Sequence, residues 1–274
     1  MPVEPLEGCL PADPLWRPSL RPSPALAARY GPEHLGAIPE EPLNHLLPES
    51  ERQRPWPQTA SRLAWELLYW NEPELYEQLV EGEPLHPGLF RELPLDGAEV
   101  LEVGAGTGRL TLPCASRARL VHAVEPATPM RRLLQAKLEA RGYSNVVLHS
   151  AWADALPLPD GAVDLTVSAS AFGASQLHGG EAGLRELRRV TRPGGQIAIL
   201  WPDDPRWFLD RGFQYHAFGG SMELRFRDIG TAERCAEIFW PGVLTHLRAG
   251  GRPLVPFDLL GVNAPRDLCV ATVA

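Results

Sequence analysis

Lysine is almost missing from this chain. Lys137 is the single lysine, and all the other basic residues are arginine. That reads as a compositional bias rather than a functional feature. No stretch approaches the ~18 consecutive apolar residues that suggest a membrane span. The N-terminus carries Glu4 and Glu7 and no apolar run, so a secretory leader is not expected. Cys9, Cys114, Cys235 and Cys269 are far apart and form no Cys-x-x-Cys pair. A zinc centre or a disulfide framework is therefore not expected, and a reducing cytoplasm fits. An excess of positive charge is also lacking: the formal net charge is −8. Such a chain has no broad basic surface to drive non-specific nucleic-acid binding. The expectation is a cytoplasmic protein with no metal, no membrane and no nucleic-acid partner. The oligomeric state is not legible.

What is present is a hydrophobic content of 44% over 274 residues, enough for one α/β domain with a full core and an additional segment. Residues 1–58 are rich in proline: Pro11, Pro14, Pro18, Pro22, Pro24, Pro32, Pro39, Pro42, Pro48, Pro55 and Pro57. Proline blocks helix interiors, so only short turns are expected, near 24–30 and 41–47. Leu15, Trp16, Leu26, Tyr30, Leu43, Leu46 and Leu47 favour a strap over the main domain rather than a disordered arm. Residues 59–96 read as a helical lid, in which Leu63, Leu67, Leu68, Trp70 and Leu75 recur at helical spacing. Pro73 splits the helix, with Asn71 near the start of its second half. Trp65, Tyr69, Trp70 and Tyr76 make this stretch a candidate pocket wall.

Residues 97–274 alternate strands and helices. Strands are expected at 99–103, 120–124, 145–149, 162–168, 196–201, 222–226 and 267–273. Helices are expected at 109–117, from an N-cap at Thr128 to a stop at Gly142, around Leu184, Leu187 and Val190, and at 231–247, where Pro241 interrupts. The turn Pro193-Gly194-Gly195 is expected to separate a helix from the fifth strand. This rhythm implies a doubly wound, mostly parallel seven-stranded sheet with helices on both faces.

The strongest signal is the run Val-Leu-Glu-Val-Gly-Ala-Gly-Thr-Gly-Arg-Leu, residues 100–110. A strand enters a tight glycine turn and leaves into a helix. Gly104, Gly106 and Gly108 permit positive φ and let a ligand approach the backbone closely. Dinucleotide folds use the spacing Gly-x-Gly-x-x-Gly. Here the spacing is Gly-x-Gly-x-Gly, and Glu102 stands two positions ahead of it. A carboxylate there suits a cationic amino-acid moiety and would repel a pyrophosphate. Glu125 closes the second strand, and its two oxygens can accept from both hydroxyls of a ribose.

With these motifs in place, residues 97–201 resemble the class I S-adenosylmethionine-dependent methyltransferases in their common small-molecule (type 11-like) branch. The run 153–168 resembles that family's adenine-side loop and fourth strand, and 184–200 its following helix, glycine turn and fifth strand. The resemblance implies a Rossmann-like fold with S-adenosylmethionine as cofactor. It implies that Glu102 and the backbone of Gly104, Ala105 and Gly106 hold the methionine end, within the turn that Gly108 completes. Glu125 would bind the ribose, and Pro126 and Met130 would lie near the adenine. Ala153 would offer its N–H to the adenine ring, Asp154 would accept from the exocyclic amine, and Ser168 would lie under the methionine portion. Many relatives carry Asp where this chain has Trp152, so either Asp154 takes over or Trp152 stacks on the adenine. Many also carry a Leu-His or similar pair after the fourth strand, where this chain reads Ala171-Phe172-Gly173, so no catalytic histidine is implied there.

The cofactor supplies the methyl group, so a base is needed only for an acceptor that must lose a proton. The motifs therefore assign no catalytic residue. His178, His216 and His246, with Asp203 and Asp204 after the fifth strand, are the candidates. The aromatic stretches 65–76 and 207–218 suggest a small, partly apolar organic acceptor. The alternative is a cofactor-binding partner or regulatory protein without catalysis. A nicotinamide oxidoreductase is disfavoured by the glycine spacing and by Glu102.

Overall fold

Runs of valine, leucine and isoleucine that are apolar on both faces make the central strands. β1 is Glu99–Val103, β2 Leu120–Val124, β3 Val146–His149, β4 Val163–Ala169, β5 Thr191–Leu200, β6 Gln214–Ala217, β7 Glu223–Arg225, β8 Leu254–Pro256 and β9 Asp267–Thr272. This computed structural model describes residues 23–274. Cys9 and the expected strap residues Pro11, Pro14, Leu15, Trp16, Pro18 and Pro22 lie outside the described residues. Seven strands join in the order β3-β2-β1-β4-β5-β9-β6. β1 to β5 run parallel, while β9 is antiparallel to both β5 and β6. The chain reverses its direction of winding between β1 and β4. The loops that leave those two strands therefore open a crevice at one sheet edge, where ligands bind in such folds.

The Rossmann-like architecture follows the sequence, and the differences are local. The sixth strand of the sheet is β6, which the sequence reading passed over. The expected strand at 222–226 instead pairs as β7 with β8 in a separate two-stranded ribbon. Only four residues long and half exposed, β6 carries little periodicity; its Tyr215 hydroxyl donates to Asp267 Oδ2 at 2.8 Å. The turn Pro193-Gly194-Gly195 lies inside β5, which begins at Thr191 directly after helix Gly180–Val190. The register with β4 shifts between Val163 and Leu165, and a Cβ on Gly195 would stand 2.7 Å from the Asp164 carbonyl. The glycine here lets two strands approach instead of ending one.

Helix Thr128–Arg141 is capped by Ala127, with Thr128 inside its first turn, and Gly142 closes it at φ +71° as expected. The helix after the glycine turn is confined to Thr111–Ala115. The lid breaks twice, into Trp56–Arg62, Ala64–Asn71 and Pro73–Glu81. Asn71 ends the middle helix, and its amide donates to the Leu67 and His34 carbonyls.

Two apolar layers cover the faces of the sheet. A third cluster sits above its ligand edge. There Leu26, Leu46, Leu63, Leu67 and Leu68 meet Phe239, Val243 and Leu247, with Trp201 and Met130 from the sheet side. Each fully buried leucine contributes roughly 1.5–3 kcal/mol. Short helices Pro24–Ala28 and Glu40–Leu46 are thereby fixed on the lid. Polar ties add to this: Trp56 Nε1 donates to the Tyr30 carbonyl at 3.0 Å, and the Tyr30 hydroxyl donates to Glu72 Oε2 at 2.9 Å. Among the described residues no helix is long and apolar enough to cross a membrane.

Candidate functional site

A cavity of about 370 Å³ opens where the loops after β1, β2 and β4 meet the lid. All three motif glycines take left-handed φ, and at two of them a Cβ would also meet a neighbouring side chain. Gly104 has φ +75°, and a Cβ there would lie 2.2 Å from the Ala171 methyl. Gly108 has φ +98°, and its Cβ would meet Leu134 at 2.5 Å. The amides of Gly104 and Ala105 both donate to the Val124 carbonyl, at 2.9 and 3.0 Å. That ties the turn to the end of β2. Gly106 donates its amide to Glu125 Oε2 at 3.0 Å, and Ala127 donates to Oε1 at 2.8 Å. Glu125 thus lies buried on the cavity wall with its orientation fixed. Burial raises its pKa, while the two backbone donors oppose the rise.

Glu102 is placed differently from the expectation. Its carboxylate is 2% exposed, off the cavity wall, and accepts the Thr111 hydroxyl at 2.6 Å. Burial pushes its pKa up to about 8. It braces β1 against the following helix. Ser168 also turns away: its hydroxyl donates to the Val103 carbonyl at 2.8 Å and accepts the Phe172 amide at 3.1 Å. That bond joins the ends of β1 and β4. Met130, Ala105, Gly106 and Gly108 lie behind the cavity wall instead of on it. Ser170 and Trp201, which directly follow β4 and β5, take left-handed φ of +56° and +52°. Such a conformation costs a non-glycine residue roughly 1–2 kcal/mol, and of the two Ser170 lines the cavity.

On one side Pro126, Trp152, Ala153 and Asp154 line the cavity. Trp152 is stacked by His45 from the N-terminal segment, with ring centroids 4.0 Å apart and planes 14° from parallel. Opposite, the lid presents Trp65, Glu66, Tyr69 and Tyr76. Trp65 stacks on Phe239 at 5.5 Å, and Tyr69 meets Tyr76 edge-on at 4.9 Å. Burial lifts both tyrosines well above the usual phenol range, so both stay protonated. Near the glycine turn, Arg109 Nη1 donates to Glu83 Oε2 at 2.6 Å and lies over the Trp201 ring at 5.5 Å. Glu83 is buried, which raises its pKa against the pull of Arg109, and among the described residues its Oε1 has no hydrogen-bond partner.

Of the three candidate histidines, His178 reaches the cavity, as do Asp203 and Asp204. His216 pairs with Glu92 at 3.7 Å away from it, and His246 is exposed on helix Leu244–Gly250. Sequence reasoning passed over His45, Glu66, Glu83 and Arg109. Glu66 did leave a signal, as an acid set among the aromatic and leucine residues of the lid. Arg109 directly follows the glycine motif.

A model of the methyltransferase domain matches residues 100–195. An uncharacterized methyltransferase of Mycobacterium tuberculosis is 32% identical over 224 residues, spanning 79% of this chain and 83% of that protein. The ubiquinone/menaquinone biosynthesis C-methyltransferase UbiE of Rubrivivax gelatinosus is 32% identical over 126 residues, spanning 46% of this chain and 47% of that one. The chain thus matches under half the length of that second relative. The solved YcgJ protein of Bacillus subtilis is 15% identical, with a TM-score of 0.44 over 72% of this chain and 95% of that one.

Proposed function

The chain belongs to the class I S-adenosylmethionine-dependent methyltransferases, and from that premise we propose that it methylates a small, partly apolar organic acceptor. S-adenosylmethionine is the cofactor, and it supplies an activated methyl group on a sulfonium. The cavity suits it: a glycine cradle that a Cβ would fill, a fixed carboxylate on the wall, and an orphaned buried oxygen beside an arginine.

The following residue roles are part of the proposal. Glu125 accepts from the ribose hydroxyls. Trp152 and Pro126 flank the adenine, with the Ala153 amide and Asp154 at its polar edge. The backbone of Gly104, held in place by Ala105 and Gly106 behind it, and the Arg109–Glu83 pair receive the amino-acid end, the guanidinium facing a carboxylate and Glu83 Oε1 an ammonium. Glu102, Gly108, Met130 and Ser168 act from behind by holding the turn. The division into strap (1–58), lid (59–96) and cofactor domain (97–274) belongs to the same reading, as do the cytoplasmic setting and the absence of a nucleic-acid partner.

The observation that carries the small-acceptor reading is the wall of Trp65, Tyr69, Trp70 and Tyr76, which closes the cavity opposite the glycine turn. Alignment of the acceptor against that wall supplies most of the rate in such a displacement. A radiolabelled methyl-transfer assay on a panel of small aromatic and aliphatic acceptors, beside tRNA, DNA and protein, tests it. Transfer to small molecules is expected. Labelling of tRNA, DNA or protein alone would overturn the reading.

A further inference from the structure

Glu66 lies in helix Ala64–Asn71 between Trp65 and Leu67, and it is 8% exposed on the cavity wall. Its Oε1 faces His178 Nε2 at 4.0 Å. That separation is too long for a hydrogen bond and wide enough for one hydroxyl oxygen to reach both atoms. His178 Nδ1 lies 3.1 Å from Ser175 Oγ, which fixes the ring with Nε2 toward Glu66. The two groups come from elements far apart in the chain, the lid and the loop after β4. They meet on a wall that Trp65, Tyr69, Trp70 and Tyr76 also line.

We infer that Glu66 and His178 together take up the proton of the acceptor, and that the acceptor is an aromatic or enolic hydroxyl. This rests on the methyltransferase reading above. The acceptor oxygen forms the new O–CH₃ bond as the S–CH₃ bond breaks. The electron pair of the broken bond stays on sulfur, giving neutral S-adenosylhomocysteine, and the O–H proton passes to the pair. His178, half exposed, returns it to water. The net change is one methyl moved and one proton released.

The surroundings suit that task. Burial pushes the Glu66 pKa up to about 7; Arg62 favours its charged form and Glu125 disfavours it. Partial desolvation by the neighbouring loop and lid lowers the pKa of His178 from the usual histidine range, with Asp203 opposing. Above neutrality the pair therefore holds a free base, as a general base working near pH 7 requires. Tyr69 and Tyr76 remain protonated on the same wall and do not compete.

The test uses the full chain saturated with S-adenosylhomocysteine, which has no sulfonium charge, and 4-nitrophenol as probe. Any stabilisation of the yellow phenolate then comes from the protein. The expected result is saturable binding with the probe's apparent pKa lowered by about 1 unit. Glu66→Gln and His178→Gln should each remove most of that shift while S-adenosylhomocysteine affinity stays within about threefold of the parent. Absent probe binding, an unshifted pKa, or a shift that survives both substitutions would overturn the inference. So would a variant that loses cofactor-product affinity together with the shift, because the pair would then serve the cofactor. Failure of the parent protein to bind S-adenosylhomocysteine would instead count against the methyltransferase reading itself.

Discussion

At the scale of single residues, two acids beside the glycine turn have different surroundings. Glu102 and Glu125 both close strands beside the glycine turn. Glu125 faces the cavity, while Glu102 faces Thr111. The sequence displays the acids, but not which way the end of each strand turns. Arg109 and Glu83 show the converse. Each looks like a surface charge in the sequence, yet the pair is joined at 2.6 Å with Glu83 3% exposed. A buried pair of this kind adds little net stability, so a ligand role explains it better than folding does. S-adenosylhomocysteine should therefore bind about 100-fold more tightly than 5′-methylthioadenosine, which has no amino-acid end. In the double variant Glu83→Gln, Arg109→Gln the preference should fall at least tenfold, or about 1.4 kcal/mol. Competitive calorimetry measures the ratio, and an unchanged preference would remove the pair from the cofactor site.

At the scale of elements, strongly periodic segments were legible and short ones were not. Strands β1 to β4 stand where short apolar runs place them, and helix Thr128–Arg141 where the Thr128-Pro129 start and the Gly142 stop place it. β6 has four residues and shows no alternation, so nothing marked it. The exchange of 222–226 for β6 depends on a partner, β8, some thirty residues downstream, which local propensity does not sense. In the lid, Pro73 announced one break, but the break at Leu63 depends on packing. The N-terminal segment carries short helices near 24–30 and 41–47, where short turns are expected from the sequence. Its short helices bury leucines in the lid and bring His45 flat onto Trp152. A stacked pair contributes roughly 0.5–1.5 kcal/mol beyond its burial. His45→Ala should thus weaken S-adenosylhomocysteine binding about 3- to 10-fold, with little change in thermal midpoint. Equilibrium dialysis would show it, and an unaltered affinity would mean that the stack holds the segment in place without serving the ligand.

Across the whole molecule, three layers meet at one sheet edge. The glycine turn, the loop after β4 and the lid each supply part of the cavity, and none closes it alone. The crevice could be inferred from the order of strands, since β1 and β4 flank the reversal in winding. The aromatic residues of its far wall could be named from the sequence too, but not His45, Glu66 and Glu83 beside them, because the tertiary packing of residues 24–83 turns those side chains inward. In the proposed reading the acceptor meets that wall, whereas the cofactor meets the sheet side, where motifs are local and regular. Everything in the account depends on Glu125 presenting an oriented carboxylate to a nucleoside sugar. The most direct measurement is a calorimetric titration of the full chain with S-adenosylhomocysteine, repeated on Glu125→Gln. Loss of hydrogen bonds to a charged acceptor costs about 1.5–3 kcal/mol, so the variant should bind roughly 10- to 100-fold more weakly and remain folded. Equal affinity in the two proteins, or no binding by either, would contradict the account.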